Sequence, residues 1–489
     1  MYLVIFLLVL CAVLLYLSLK TNNYWRKRKI FQVDDVLFKF MFNKHSMAEI
    51  CKDIYDKNDS RHIGTTLGRK QTLMLKNPED IQAVLAGDFQ SFHSRGLVLN
   101  ENDLLADNVL FMNDFQRWKL TRQKLTPVFT SSRLKNMFYI IEKCARDFVT
   151  FVEDNQQLRK KPFDLLYTYT TASIGASVFG IDTNTKNTMD SPFMEMSKKS
   201  IEPSIYGNII IFLSDAFPGL FKLLKLRVFG HVEDFFINAV KNVMESRKHD
   251  TQKRHDFIEI CLELKKQGMM QDSATGYELD PTDELLAAQA FFFFIAGADT
   301  SANAMHFTLL ELACNPIILA KLHQEIDEIF QNGAEELTYN DIDKLQYLDK
   351  VLNEGMRKYP PIGVIQRVCT KDTVLPTGVP IEKDIICMIP VYAIHRDENN
   401  YPDPEVFDPE RFDPENPSGK GKYTFLPFGE GNRICIGNRF ARLQVKAGLA
   451  WLLRRFTLTE QESKPVNFEK SSFGLRAPDI FYELKPRDI

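Results

Sequence analysis

From Tyr2 to Leu19 the chain is apolar or aromatic at every position except Ser18, and the run stops at Lys20. That is about long enough to cross a bilayer as a helix. Positive charges follow it at Lys20, Arg26, Lys27, Arg28 and Lys29. This order predicts an uncleaved signal-anchor with the rest of the chain in the cytosol, most simply at the endoplasmic reticulum. Tyr24 and Trp25 suit the membrane interface. Beyond the anchor, apolar positions recur at helical spacing over 133–152, 232–247 and 282–313. Strand-like runs are short: 71–75, 373–375, 385–390 and 480–484. The proline-rich stretch 401–417 predicts extended or turning chain with no helix. No linker or repeat interrupts the pattern. It predicts a membrane segment (1–20), a basic juxtamembrane segment (21–45) and one large domain (46–489), mainly α with a small β-rich region. The strongly apolar stretch 205–229 fits either a buried helix pair or a monotopic membrane contact.

Composition narrows the function. The chain has 489 residues, 45% of them hydrophobic, with 38 Phe, enough for a large core and a greasy pocket. A net charge of −3 argues against a polyanionic partner such as nucleic acid. Eight cysteines stand scattered without a C-x-x-C pair, the usage of a reducing compartment rather than of a disulfide framework or zinc site.

One of these cysteines carries chemistry. Phe428-Gly-Glu-Gly-Asn-Arg-Ile-Cys-Ile-Gly437 places Cys435 in a glycine-rich loop just ahead of an apolar helical stretch. Gly429, Gly431 and Gly437 permit tight turning and close approach to a flat ligand, and the helix N-terminus favours a thiolate. A thiolate so placed suits the axial position of haem iron. Gly429 and Gly431 begin like a dinucleotide fingerprint, but Ile434 stands where the third glycine belongs.

Three further groups accompany the loop. Glu354 and Arg357 lie at i, i+3, the spacing of a one-face ion pair, and Arg411 in the extended segment completes a candidate buried network. Ala296-Gly-Ala-Asp-Thr-Ser301 lies in the long helix where glycine and a back-bonding threonine open the backbone, and the Asp299 carboxylate beside the Thr300 hydroxyl can pass protons at that opening. Trp118 and Arg122 present donors one turn apart, and Arg95, Arg367 and Arg433 join them as candidates for the haem propionates.

In this order and spacing these residues resemble cytochrome P450, the haem-thiolate monooxygenases. The closest type is that of microsomal insect enzymes of family 6, akin to mammalian family 3. The resemblance implies haem b with Cys435 as iron ligand, and Phe428, Trp118, Arg122, Arg367, Arg433 and Arg95 in the cofactor site. It implies Asp299 and Thr300 in oxygen activation, and Glu354, Arg357 and Arg411 as a structural triad. It places the substrate pocket at Phe293, Ala296, Thr300, Ile362, Val364 and Leu475. Lipophilic substrates, O2, NADPH–cytochrome P450 reductase and cytochrome b5 are the implied partners. Arg117, Lys119, Lys124, Arg439 and Lys446 are candidates for the reductase contact. The chain departs from the microsomal pattern in one respect: its first proline is Pro78, so the proline-rich hinge before the domain is shortened or lost. A peroxide-rearranging haem-thiolate enzyme and a non-catalytic lipophile binder remain open, and the Asp299–Thr300 pair weighs against both.

Overall fold

The structure is a computed structural model describing residues 23–488, apart from 98, 181–190, 202–206, 208, 211–212, 215–216, 249–253, 332–334, 417–420, 422 and 473. The expected membrane segment 1–20 and, within 205–229, residues 205–206, 208, 211–212 and 215–216 lie outside the described residues. The principal helices are α1 (Met47–Asp56), α2 (Phe115–Leu125), α3 (Ser131–Asp154), α4 (Pro162–Phe179), α5 (Glu233–Ser246), α6 (Asp283–Cys314), α7 (Pro316–Ile329), α8 (Gln346–Lys358) and α9 (Asn438–Arg455). The strands used below are β1 (Phe31–Gln32), β2 (His62–Leu67), β3 (Lys70–Leu75), β4 (Ile365–Val368), β5 (Ile386–Ile389), β6 (Phe456–Leu458) and β7 (Leu484–Pro486).

Helix α6 is the axis of the fold. Thr282 caps it by accepting from the Leu285 N–H, and Asp283 and Glu284 complement the positive end of the dipole. It is apolar on nearly every side, which fits a helix surrounded by protein. It packs on α4, α5, α8 and α9. Among the described residues α6 alone is long and apolar enough to cross a membrane, and it is mostly buried in the core. Helix α4 is likewise buried nearly all round, begins at Pro162 and stops at Gly180, whose φ of 58° turns the chain out of the helix.

A second apolar cluster sits under a five-stranded sheet in the order β1-β2-β3-β5-β4. β2 and β3 form an antiparallel hairpin with His62 opposite Leu75, and β3 runs parallel to β5 with Leu73 opposite Cys387. A separate antiparallel pair, β6 with β7, joins the end of α9 to the C-terminal segment.

The three helical periodicities coincide with α3, α5 and α6. Residues 71–75 fall in β3, 385–390 contain β5, and Thr373–Val374 pairs with Pro380–Ile381. Three expectations need correction. The C-terminal strand is Leu484–Pro486, not 480–484, because Tyr482 is spent on α6, its hydroxyl donating to the His306 carbonyl. The proline-rich stretch does contain a 3₁₀ turn, Pro409–Phe412, since a first-turn proline lacks only an N–H that the turn would leave unused. Trp25 is not an interfacial residue: it is fully buried, packed on Gly64 with its indole N–H donating to the Thr65 carbonyl at 3.0 Å.

Candidate functional site

The Cys435 loop runs from a 3₁₀ turn, Gly431–Arg433, into the N-terminus of α9. The Cys435 N–H donates to the Phe428 carbonyl at 2.9 Å, which closes the loop. Gly431 has φ 74°, and a Cβ there would meet the Leu85 carbonyl oxygen at 2.0 Å. Its requirement is therefore the 83–87 segment behind it, not a ligand in front. Gly437, by contrast, has an ordinary negative φ and room for a side chain. The Cys435 side chain is solvent-accessible yet enclosed by protein on most sides, as in the wall of an internal cavity. That enclosure pushes its thiol above the usual range. The Gly437 N–H and the Arg122 and Arg95 guanidiniums act in the opposite direction but do not overcome it. The helix end alone thus does not make the thiolate expected from the sequence; a coordinated metal cation does so outright.

Four arginines face this loop. Arg122 donates to the Ile434 carbonyl at 2.7 Å, and Arg95 to the carbonyls of Leu110 at 2.8 Å and Arg433 at 3.2 Å. Arg433 donates to the Met112 carbonyl at 2.8 Å and lies 4.4 Å over the Trp118 ring. Arg367, nearly fully buried, donates to the Gln366 carbonyl. Among the described residues none of the four has a carboxylate partner, and the buried Nε atoms of Arg367 and Arg433 make no hydrogen bond. Burial pushes Arg367 down to about 10; burial and the charges of Arg367 and Arg122 push Arg433 down to about 9. A guanidinium does not give up its proton at these values, so the depression measures positive charge without a counter-ion. A dianionic ligand with two carboxylates, such as the haem propionates, fits this need, with Cys435 offering sulfur to the metal.

Helix α6, which packs on α9, keeps one partly open stripe: Phe292, Ile295, Ala296, Asp299 and Thr300 are half-buried in a helix otherwise largely sealed. The recurrence at three and four residues defines a single face. Thr300 Oγ1 donates to the Ala296 carbonyl at 2.7 Å, but the backbone remains α-helical throughout. Gly297 does not open the helix; a Cβ there would meet the Ile174 side chain at 2.8 Å, so it serves the packing of α6 on α4. Phe293, expected in the pocket, lies at the Thr300 edge of the stripe, seven residues from Thr300, but is buried between Phe129 and Phe257. Phe292 takes that place. Ile362 is half-buried and bridged to Gly474, whereas Val364 and Leu475 are buried in the sheet-side cluster.

Burial pushes the Asp299 carboxyl up; the Arg476 guanidinium and the Asn303 amide pull it down. Arg476 Nε lies 3.2 Å from Asp299 Oδ1. Arg476 was not identified from the sequence, because only the fold brings the C-terminal segment against the middle of α6.

Beneath the loop, Glu354 and Arg357 form a fully buried bidentate pair at 2.7 and 2.8 Å. Arg411 approaches Glu354 Oε1 at 3.5 Å, and the Asp408 N–H donates to the same oxygen. Arg357 also donates to the His395 carbonyl at 2.8 Å. Burial pushes the Glu354 carboxyl up against the pull of both guanidiniums.

Of the basic residues expected at a partner surface, Lys446 is buried and paired with Asp349 at 2.6 Å. Arg117 and Lys119 are committed to Asp107 and Asp272. Arg439 is exposed and Lys124 half-buried. A cleft of about 860 Å³ is lined by Phe115, Trp118, Arg122 and Asn432, and neither Cys435 nor Thr300 lines it.

The family profile described as cytochrome P450 matches residues 36–484. Among similar curated proteins is the probable cytochrome P450 6a13 of Drosophila melanogaster, 33% identical with 94% of each chain covered. Cytochrome P450 6B2 of Helicoverpa armigera is 33% identical over 94% of this chain and 93% of its own. Cytochrome P450 6k1 of Blattella germanica is 31% identical over 96% and 93%.

Proposed function

This chain belongs to the cytochrome P450 family of haem-thiolate monooxygenases, and from that premise we propose that it is a membrane-anchored enzyme oxidising lipophilic small molecules with electrons from NADPH–cytochrome P450 reductase. The observation that carries the reading is the set of buried arginines without counter-ions around the Cys435 loop, beside a helix α6 that packs on α9 and keeps one half-open stripe.

Cys435 would ligate the haem iron, and Arg95, Arg122, Arg367 and Arg433, with Trp118 beneath Arg433, would hold the propionates. When bound, thiolate-ligated haem supplies the chemistry that activates O2 and inserts one oxygen atom into an unactivated C–H bond. The protein positions substrate, excludes water and delivers protons. Phe292, Ile295 and Ala296 present an apolar wall, joined by the half-buried Ile362, while Val364 and Leu475 support it from the sheet-side cluster. Thr300 Oγ1 donates to the Ala296 carbonyl and so keeps its lone pairs free to accept a hydrogen bond, which orders the path of a proton held on Asp299.

Residues 1–20 are the proposed anchor at the endoplasmic reticulum and 46–489 the catalytic domain. A second membrane contact is supported by the exposure of Ile209, Leu220, Leu223 and Leu224 together with Phe42. Arg439 and Lys124 are the basic side chains best placed to meet an acidic reductase or cytochrome b5.

The test is the carbon monoxide difference spectrum of the dithionite-reduced full chain. The expected result is the red-shifted band of thiolate ligation, replaced in Cys435→His by an unshifted one. A wild-type spectrum without the shift would overturn the assignment. With the shift present, reductase and NADPH should then turn over apolar substrates.

A further inference from the structure

The side chain of Arg476 touches carboxylates on two segments. Its Nε is 3.2 Å from Asp299 Oδ1 on α6 and 3.8 Å from Glu469 Oε2 on its own C-terminal segment. The Glu469 N–H donates to the Arg476 carbonyl at 2.8 Å, which closes the 469–476 turn and fixes where the guanidinium starts. The Arg476 side chain is 9% exposed and lies over the Phe163 ring at 5.7 Å. Yet Asp299 Oδ1 and Arg476 Nε and Nη1, all buried, make no hydrogen bond. Charge holds the pair, but no aligned donor–acceptor geometry locks it.

That combination is unusual for a buried ion pair, which ordinarily needs well-made hydrogen bonds to offset its desolvation. A guanidinium shared by two carboxylates and aligned with neither can change its share at small cost. We infer that Arg476 is a positioning residue that sets the protonation state of Asp299, pinning the carboxylate when turned to it and releasing it when turned to Glu469. This deepens the proton-delivery role assigned above to Asp299 and Thr300 and rests on it. A pinned Asp299 stays ionised and is poor at carrying a proton to Thr300. A released one, enclosed by protein, takes up a proton and passes it on. The groups facing Asp299 are Arg476, the Asn303 amide and, behind Arg476, Glu469. His306, further along α6, is held neutral by burial.

The direction of each substitution follows. Arg476→Gln removes the nearest positive charge and should raise the Asp299 midpoint by about one pH unit or more. Glu469→Gln leaves Arg476 to Asp299 alone and should lower it. Arg476→Lys should return the midpoint toward wild type. The experiment uses the holoenzyme with reductase in phospholipid vesicles and reads two quantities against pH. One is the infrared carboxylic-acid band that disappears in Asp299→Asn, and the other is product formed per NADPH consumed. Opposite shifts in Arg476→Gln and Glu469→Gln, with the KM for an apolar substrate changed less than about twofold, support the assignment. An unmoved band in both variants overturns it while leaving the relay intact. Asp299→Asn with undiminished coupling would remove the relay and this inference with it. Should Arg476→Gln not fold, the downward shift in Glu469→Gln decides alone.

Discussion

At the scale of single residues the strongest constraint is burial without water. Glu354→Ala would leave Arg357 fully buried with its charge uncompensated, a loss of about 3–5 kcal/mol. The expected outcome is expression without haem incorporation, read from the Soret absorbance; a folded holoprotein would refute the estimate. Thr300→Ala should keep the carbon monoxide spectrum but divert NADPH to peroxide, measured as peroxide released per NADPH. Burial also sets the acid response. It pushes His306 down to about 4 and His395 down to about 3. In the unfolded chain both titrate near 6.5, so between there and pH 4 the unfolded state takes up protons that the folded state refuses. Their contribution is complete above about pH 6.5 and is lost on acidification, at up to about 1.4 kcal/mol per pH unit for each. His323, pushed down to about 4 by burial, adds a third, and Asp35, pushed up to about 6 by burial, opposes them with one proton against three. Melting temperature should therefore fall from pH 7 to 5, and the slope should flatten in His306→Gln. The i, i+3 spacing made the Glu354–Arg357 pair legible in the sequence. Arg476 was not, because its partner lies on a segment remote in the chain.

Elements were legible where one periodicity runs long. α3, α5 and α6 follow from apolar spacing, since each must hide a stripe or a whole circumference. What failed was azimuth: four consecutive phenylalanines look alike in sequence, and only the packing of α6 shows that Phe292 is half-open while Phe291, Phe293 and Phe294 are buried. The glycines of the Cys435 loop were read as making room for a ligand. Gly431 instead makes room for the backbone at Leu85, so the loop is bonded to its own support. Gly431→Ala would meet both a positive φ and that carbonyl, a cost of about 1–3 kcal/mol for the backbone strain alone. Haem retention on mild heating should drop accordingly, whereas Gly437→Ala, with ordinary φ and open space, should be near neutral. Equal retention in both would contradict the packing argument.

At the scale of the whole molecule, Leu220, Leu223 and Leu224 form one exposed apolar group among exposed side chains otherwise scattered along the chain. Phe217, which precedes Leu220, Leu223 and Leu224, packs against the sheet-side cluster that also receives Met41. With residues 1–22 removed, the protein should still partition onto phospholipid vesicles, and Leu223→Glu with Leu224→Glu should reduce this several-fold in a sedimentation assay. No residual binding of the parent would refute the second contact. Charge reversal at Arg439 should raise the reductase concentration needed for half-maximal turnover. The same reversal at Lys446 should instead destabilise, because its ammonium is buried against Asp349.

The buried Trp25 gives the absent proline hinge a different meaning. Tyr24–Lys27 is a short helix seated on the sheet, and β1 continues the seat by pairing with β2. With the anchor proposed above, chain before residue 23 would start from a keyed joint and not a swivel. An enzyme mounted in this way would keep one bearing over the membrane, with its substrate mouth and its electron-receiving face at constant heights. Trp25→Ala would turn the mount back into a tether, and the spread of those heights, not the chemistry at Cys435, is what would change.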